Sequence, residues 1–470
     1  MLPNKNYNLA LMTDSYKCSH WLQFPKDTKK LFYYAESRSE NKNILFFGLQ
    51  AIIKEYFIQV PTLEHIEFAK LFWDKHGFKG YFNYEGWKKI SEIGYLPIEI
   101  KAIPEGTIIQ SQNVLFTVEN TIDEFYWLPG WIETLLMQVW YPITVATKSW
   151  EIKQIIRRYM IETHDNLESL PFKLHDFGYR GVESYQSAMI GGMAHLVSFM
   201  GTDTVAGQQG IWRWYSPISK CLSTFFNVDC FSIPAAEHST ITSWGKENEI
   251  KAYENMLDNF AKPESIVAVV SDSYDIYNAV EKIWGEQLNQ KVVDSQATIV
   301  IRPDSGDPIE TPIWCVEKLA EKFGYTLNQK GYKVLNNVRV IQGDGIDKSD
   351  VRSILEGLKV RGFSAENIAF GMGAGLLQKV NRDTFKFAYK CSARYDGKKW
   401  IDVYKQPVTS SWKKSKKGKL ILIKENNKYK TVTIDEYPEY ENILETCFKN
   451  GELVKNYSFN EIKERSENES

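Results

Sequence analysis

The chain has 470 residues, with 57 Lys plus Arg against 59 Asp plus Glu and a formal net charge of −2. At 43% hydrophobic and 25% charged it has a globular composition rather than a disordered one. Near-neutrality excludes a whole-surface nucleic-acid binder, whose domain would be strongly basic. The length corresponds to about three domains, or to one large α/β barrel with additions. Aromatics make up 14% (14 Trp, 26 Tyr, 25 Phe); most build cores and interfaces, and some can offer flat surfaces to a planar ligand.

The start, Met1 to Leu11, lacks the basic segment and apolar core of a signal peptide. No stretch approaches the roughly 18 uninterrupted apolar residues of a membrane span. The six cysteines (Cys18, Cys221, Cys230, Cys315, Cys391, Cys447) form no CxxC pair, so they read as reduced thiols, neither a disulfide frame nor a zinc site. A soluble cytoplasmic protein is expected, with neither nucleic acid nor membrane as partner.

In chain order, Phe68 to Trp73 and Tyr81 to Trp87 read as helix and turn pieces. Leu96 to Val118 reads as short strands, with Ile98, Ile100 and Ala102 alternating inward. Trp127 to Met160 is helical and strongly apolar. One arrangement then recurs. SIVAVV (265–270) ends in Ser271-Asp272-Ser273, TIVI (298–301) in Arg302-Pro303-Asp304-Ser305-Gly306, VRVI (338–341) in Gln342-Gly343-Asp344-Gly345, and IAF (368–370) in Gly371-Met372-Gly373-Ala374-Gly375. Most of these loops lead towards a helical pattern such as Val351 to Leu358. Apolar runs alternating with helices predict buried parallel strands in βαβ units, whose function collects at the carboxyl ends of the strands. Asp and Gly are ordinary turn residues. Four such loops in succession, three with Asp and one glycine-rich, favour a polar-anion or sugar site. After Arg382 the chain is basic and turn-rich; the lysine run 413–419 reads as a solvated loop, and the last residues, SENES, as frayed.

No GxxxxGK[ST] loop, GxSxG elbow, HExxH helix or kinase set is present. Glycines directly after a strand let backbone N–H groups approach a phosphate, which suits Gly371 to Gly375 to a monophosphate. HDFGYRG (175–181) places Arg180 three residues after Phe177. PAAEHST (234–240) places Glu237 beside His238 at a helix start. A histidine in such a setting is more often a structural hydrogen-bonder than a catalyst, although His238 has the most chemically loaded surroundings of the seven.

These segments, with TDSYK (13–17), LPIEIKA, NVLFTVEN, YPITVAT (141–147), GTDTVAG (201–207), VVSDSYDIYNA, IRPDSG, VIQGDG, GLLQKV, SKKGKL and YSF, run in order over nearly the whole chain. Together they resemble the nicotinate/nicotinamide phosphoribosyltransferase family of type II phosphoribosyltransferases. The resemblance implies an α/β fold: an irregular (β/α) barrel-like core over 151–382, with an additional mixed α+β domain built from 1–150 and a basic, β-rich segment, 383–470. It implies transfer of phosphoribosyl from phosphoribosyl pyrophosphate to nicotinamide, with Mg²⁺ on the pyrophosphate, in a homodimer with shared sites. Phe177 would stack on the pyridine ring, with Tyr16 of a partner subunit on the other face. Arg180 and Asp203 would approach the carboxamide, and Ser232, Val300 and Ile341 would complete the wall. Arg302, Asp304, Gly343, Asp344, Gly373 and Ala374 map to the ribose and phosphate, with Asp272 beside the ribose and metal region. Arg38, Arg382, Lys390, Lys405 and Lys413 correspond to the pyrophosphate cations. His238 corresponds to a histidine phosphorylated by ATP in an optional energy coupling, with Glu237 orienting it or holding its position. Where family members carry three glycines this chain has Gly373-Ala374-Gly375; the methyl is harmless at negative φ and awkward at positive φ. Two other readings stand beside this one: a nicotinate enzyme, against which Asp203 speaks, and a barrel enzyme acting on sugar phosphates, which leaves TDSYK, HDFGYRG and PAAEHST unused.

Overall fold

A computed structural model describes residues 7–216, 227–343, 345–406 and 415–468; Asp344 and Lys413 lie outside them. The chain divides into two units, one of Met1–Thr147, Ile211–Lys220 and Asn381–Ser470, the other of Lys148–Gly210 and Cys221–Val380. The boundaries expected at 150 and 382 stand at 147 and 380. The stretch that begins at Ile211, read from sequence as core, belongs instead to the first unit. There Tyr215 donates its hydroxyl to buried Glu105 (2.8 Å) and stacks on Phe47 with centroids 5.2 Å apart.

The first unit is built on a seven-stranded antiparallel sheet in the order Trp400–Asp402, Phe387–Tyr395, Lys30–Ser37, Val114–Asn120, Ile98–Ala102, Glu445–Lys449 and Glu452–Leu453. Ile98, Ile100 and Ala102 point inward, as their alternation requires. The aromatics concentrate in this core: Trp87 lies 5.3 Å from Trp127 and 5.4 Å from Trp131, and Trp131 lies 6.1 Å from Trp73. Edge-on ring pairs of this kind contribute about 0.5–1.5 kcal/mol each beyond their buried area. The expected helical run from Trp127 breaks into Leu128–Trp131, Glu133–Leu136 and Trp140–Thr163. Pro129 and Pro142 each sit in a first turn, where a missing N–H costs nothing.

Two surface expectations are corrected here. In the lysine run, Lys416 pairs with Glu36, Lys417 with Asp402 (3.1 Å) and Lys419 with Glu119 (2.9 Å), while the Lys419 ammonium lies 4.5 Å from the Trp400 ring centroid. Ser466 to Asn468 are not frayed, because Phe459–Asn468 is a helix with Ser466 buried.

The second unit holds a five-stranded parallel sheet in the order Leu174–Asp176, Ile368–Met372, Val338–Gln342, Thr298–Arg302 and Ile266–Val270. Single parallel bridges continue the pairing from Asp176 to Thr202, from Gly201 to Phe231, and from Ala235 back to Ala268. The ring therefore closes as an irregular barrel. Four of its strands are the apolar runs seen in the sequence, whereas the fifth, Leu174–Asp176, carries no such run; helices such as Glu310–Phe323 and Lys348–Val360 return the chain between the strands. The latter starts at a capping box in which Asp347 accepts from the Ser349 and Asp350 N–H groups. Among the described residues no helix is long and apolar enough to cross a membrane. Cys18, Cys230, Cys315, Cys391 and Cys447 are free thiols; Cys221 lies outside the described residues.

Candidate active site

At the carboxyl ends of these strands lies a cavity of about 1160 Å³, entirely within the second unit. Each barrel segment delivers one piece of it, because the parallel pairing brings loops far apart in sequence to one end. Of the residues singled out from sequence, Phe177, Arg180, Asp203, Glu237, His238, Arg302, Asp304, Ile341, Gly343, Gly373 and Ala374 line it.

Phe177 forms a flat wall. Its ring lies against bare backbone: a Cβ on Gly371 would come 2.0 Å from Cε2, and one on Gly343 would come 3.3 Å from the same atom. Gly371 thus serves the ring, and of the glycine-rich loop only Gly373 to Gly375 is left for an anion. The Arg302 guanidinium carbon sits 5.2 Å from the Phe177 centroid, and the His175 imidazole packs against the ring at 4.9 Å.

Asp203 stands beside this wall. Its Oδ1 accepts from Ser232 Oγ at 2.5 Å and lies 3.2 Å from His175 Nε2. Burial pushes the Asp203 carboxyl up. His175, the Ser232 hydroxyl and Arg302 together outweigh that and hold it below the usual carboxylate range.

The polar end is a chain of charges. Arg302 donates to Asp304 Oδ1 through Nε (3.0 Å) and Nη2 (2.6 Å). His238, half exposed, places Nε2 3.1 Å from Asp272 Oδ1 and Nδ1 4.0 Å from Asp304 Oδ2. The Ser271 N–H donates to the Arg302 carbonyl (3.0 Å), tying the Asp272 loop to the strand that carries Arg302. An imidazole held between two carboxylates has a fixed orientation. Glu237 does not orient it: the Glu237 carboxylate accepts from Ser239, so Glu237 fixes the helix start and Asp272 orients the imidazole. Val300 is also displaced from its expected place; it is buried in its strand off the cavity surface, and its paired neighbour Ala268 lines the wall instead.

Ala374 heads the short helix Ala374–Leu377 at negative φ, so the methyl carries no backbone strain. Two lysines at this end were not assigned a role from sequence. Lys379 lines the cavity, and Lys148 donates its ammonium to the Gly375 carbonyl. Lys379 lies within GLLQKV, whereas nothing local marks Lys148, which reaches the loop from another helix.

The remaining expected residues lie in the first unit. Tyr16 is 59% exposed on the turn Ser15–Leu22. Burial lowers the Lys390 ammonium; Glu133 opposes this, and Arg38, Lys405 and Arg382 lower it further, so these four cations form one cluster. Arg38 donates Nε to Glu36 (2.8 Å), while its Nη2 is buried with no hydrogen-bond partner among the described residues, a donor suited to an anion. Among the described residues no three His, Cys, Asp or Glu side chains form a metal cluster. Asp272 and Asp304 offer the hard carboxylate oxygens that Mg²⁺ prefers.

Solved structures share this fold. It matches nicotinate-nucleotide pyrophosphorylase from Pyrococcus furiosus with a TM-score of 0.62 at 15% identity, covering 100% of this chain and 98% of that one. It matches human nicotinic acid phosphoribosyltransferase with a TM-score of 0.55 at 14% identity, covering 98% and 93%. The barrel with its strand-end cavity is the fold of these type II phosphoribosyltransferases. Residues 172–452 match the nicotinate phosphoribosyltransferase (NAPRTase) family, and residues 8–100 match the nicotinamide phosphoribosyltransferase N-terminal domain. The chain is 49% identical over 468 residues to nicotinamide phosphoribosyltransferase of Xanthomonas campestris pv. campestris, covering 97% of each. It is 30% identical over 492 residues to that of Acinetobacter baylyi, covering 96% and 95%. The chain belongs to the nicotinamide phosphoribosyltransferase family.

Proposed function

We propose that this chain joins nicotinamide to 5-phosphoribosyl 1-pyrophosphate, giving nicotinamide mononucleotide and pyrophosphate in NAD salvage. The observation that carries this reading is the flat Phe177 wall with an ionised acceptor, Asp203, beside it. A carboxamide NH₂ donates to that carboxylate, whereas the carboxylate of nicotinate meets a like charge. Arg180 and Ile341 line the same cavity, and we assign them to the carboxamide oxygen and the ring edge.

The pyridine nitrogen lone pair forms the new bond to the anomeric carbon as the carbon–oxygen bond to pyrophosphate breaks, and its electron pair leaves with the pyrophosphate. Positive charge develops on the ribose on the way. Asp304 is fixed by two bonds from Arg302, and we assign it to hold the ribose hydroxyls and offset that charge. Gly343, Gly373 and Ala374 present backbone to the 5′-phosphate. Mg²⁺, held by the pyrophosphate with Asp272 nearby, would neutralise the leaving group. Arg38, Arg382, Lys390 and Lys405 suit the pyrophosphate, and we assign Tyr16 and these cations to a homodimer in which each subunit completes its partner's site. We assign His238 to take a phosphoryl group from ATP: a neutral ring nitrogen bonds to phosphorus as the phosphorus–oxygen bond to ADP breaks. We assign the enzyme to the cytoplasm.

The test is incubation with phosphoribosyl pyrophosphate, Mg²⁺ and either nicotinamide or nicotinate, followed by chromatography for the mononucleotide. Product from nicotinamide supports the reading. Product from nicotinate alone overturns it in favour of the acid-specific enzyme.

A further inference from the structure

We propose that His175 is the positioning residue of the amide end of the pocket, holding Asp203 so that Oδ1 is engaged and Oδ2 is left to the substrate. The imidazole has a seat made for it. A Cβ on Gly201 would stand 2.9 Å from His175 Nδ1, so the ring occupies the volume that any other residue at 201 would fill. From that seat Nε2 reaches to 3.2 Å of Asp203 Oδ1, the same oxygen that accepts from Ser232 at 2.5 Å. The imidazole also packs against the Phe177 ring, centroids 4.9 Å apart and planes inclined at 42°. One side chain therefore touches both the surface on which the pyridine lies and the carboxylate that reads its substituent.

The backbone makes the arrangement rigid. His175 is paired in parallel with Gly371, the glycine on which Phe177 rests. The Asp203 N–H donates to the Asp176 carbonyl (3.0 Å), and Thr202 Oγ1 donates to Asp176 Oδ2 (3.0 Å). Asp203 is thus fixed at its backbone by the residue after His175, and its carboxylate Oδ1 lies 3.2 Å from His175 Nε2. In its present geometry Nε2 makes no regular hydrogen bond among the described residues. A small tilt brings an N–H at Nε2 onto Oδ1. His175 acts through Asp203, so its effect belongs to nicotinamide binding and selectivity, not to the ribose or pyrophosphate.

This inference rests on the pyridine-carboxamide reading of the pocket, and steady-state kinetics of the full chain separate the two. His175→Leu, which keeps bulk and removes the N–H, should raise KM for nicotinamide about tenfold, as loss of a hydrogen bond to a charged group does, with KM for phosphoribosyl pyrophosphate unchanged. His175→Gln, which keeps an N–H donor at similar reach, should restore most of that loss. Gly201→Ala, at a backbone position open to alanine, should displace the imidazole and raise the same KM. In the His175→Ala background it should add nothing, because the space it needs is vacant. A nicotinamide KM unchanged in His175→Leu, or an equal rise for phosphoribosyl pyrophosphate, overturns the assignment. Full additivity of Gly201→Ala and His175→Ala overturns it too. A wild-type chain that makes no mononucleotide from nicotinamide refutes the reading of the pocket instead.

Discussion

An alanine at Gly371 places a methyl group 2.0 Å from Phe177 Cε2, 2.7 Å from Cδ2 and 3.1 Å from Cζ. Carbon atoms in contact rest about 3.5–4.0 Å apart, so the ring edge must move by about 1.5 Å. The strand cannot retreat, because Gly371 is paired with His175 and its neighbour Phe370 with both Leu174 and Gln342. Its φ is negative, so the perturbation is purely steric. Overpacking of this kind costs about 1–3 kcal/mol, and each kcal/mol lowers the melting temperature of a unit this size by about 2–4 °C. If the ring is the surface on which nicotinamide lies, a displacement of about 1 Å can cost up to about a hundredfold in activity. Gly371→Ala should therefore lower kcat/KM for nicotinamide by about tenfold to a hundredfold, beyond what a melting shift of a few degrees explains. Mononucleotide formation at a temperature well below the melting point is the assay. Wild-type kcat/KM in a variant that shows the melting shift would refute Phe177 as the ring's support.

Asp203→Asn removes the like charge that meets nicotinate. At about 4 Å that repulsion is about 1–4 kcal/mol between surface and bulk-water screening, and the side chain is 48% exposed, so the lower end applies. The ratio of kcat/KM for nicotinamide over nicotinate should fall about fivefold; an unchanged ratio removes Asp203 from selectivity. His238→Ala should abolish both stimulation by ATP and acid-labile labelling of the chain from γ-labelled ATP. Labelling that survives the substitution would place the phosphoryl group elsewhere. Burial raises the Glu105 carboxyl against the bonds it accepts from the Gln50 N–H (2.7 Å) and the Tyr215 hydroxyl (2.8 Å). A folded value above the unfolded one means the folded state holds the proton more tightly, so this contribution is full at low pH and is lost as pH rises through the folded value. The melting temperature of Glu105→Gln relative to wild type should therefore rise as pH increases above the ordinary glutamate value of about 4.3; parallel curves would show that Glu105 titrates alike in both states.

Four of the five sheet strands were legible because each is a short, largely apolar run closed by polar loop residues, a pattern that a strand buried on both faces needs; Leu174–Asp176 carries no such run. Arg302 with Asp304, and His238 at its helix start, were legible for the same reason, since strand ends announce themselves. Three other features were not. Gly371 read as part of an anion loop, because nothing in a glycine's neighbours says that a phenylalanine almost two hundred positions earlier needs its missing Cβ. Glu237 beside His238 suggested a pair, yet side chains one residue apart diverge at a helix start, and Ser239 takes the carboxylate. The lysine run read as solvated because charge runs usually are; Glu36, Glu119 and Trp400 are distant in sequence and adjacent in the sheet.

From sequence alone came the parallel α/β framework, the order of its loops and the residue types available at the strand ends, all set by local periodicity and by motifs that need no partner to be read. The tertiary structure alone decided which of those residues act on one another: the Asp272–His238–Asp304 line, the sharing of Asp203 Oδ1 by Ser232 and His175, and the seating of two rings on Gly371 and Gly201. Periodicity reports which face of an element is buried. A hydrogen bond or a steric seat depends on distances of a few ångströms between segments far apart in the chain, and these exist only once the barrel has closed.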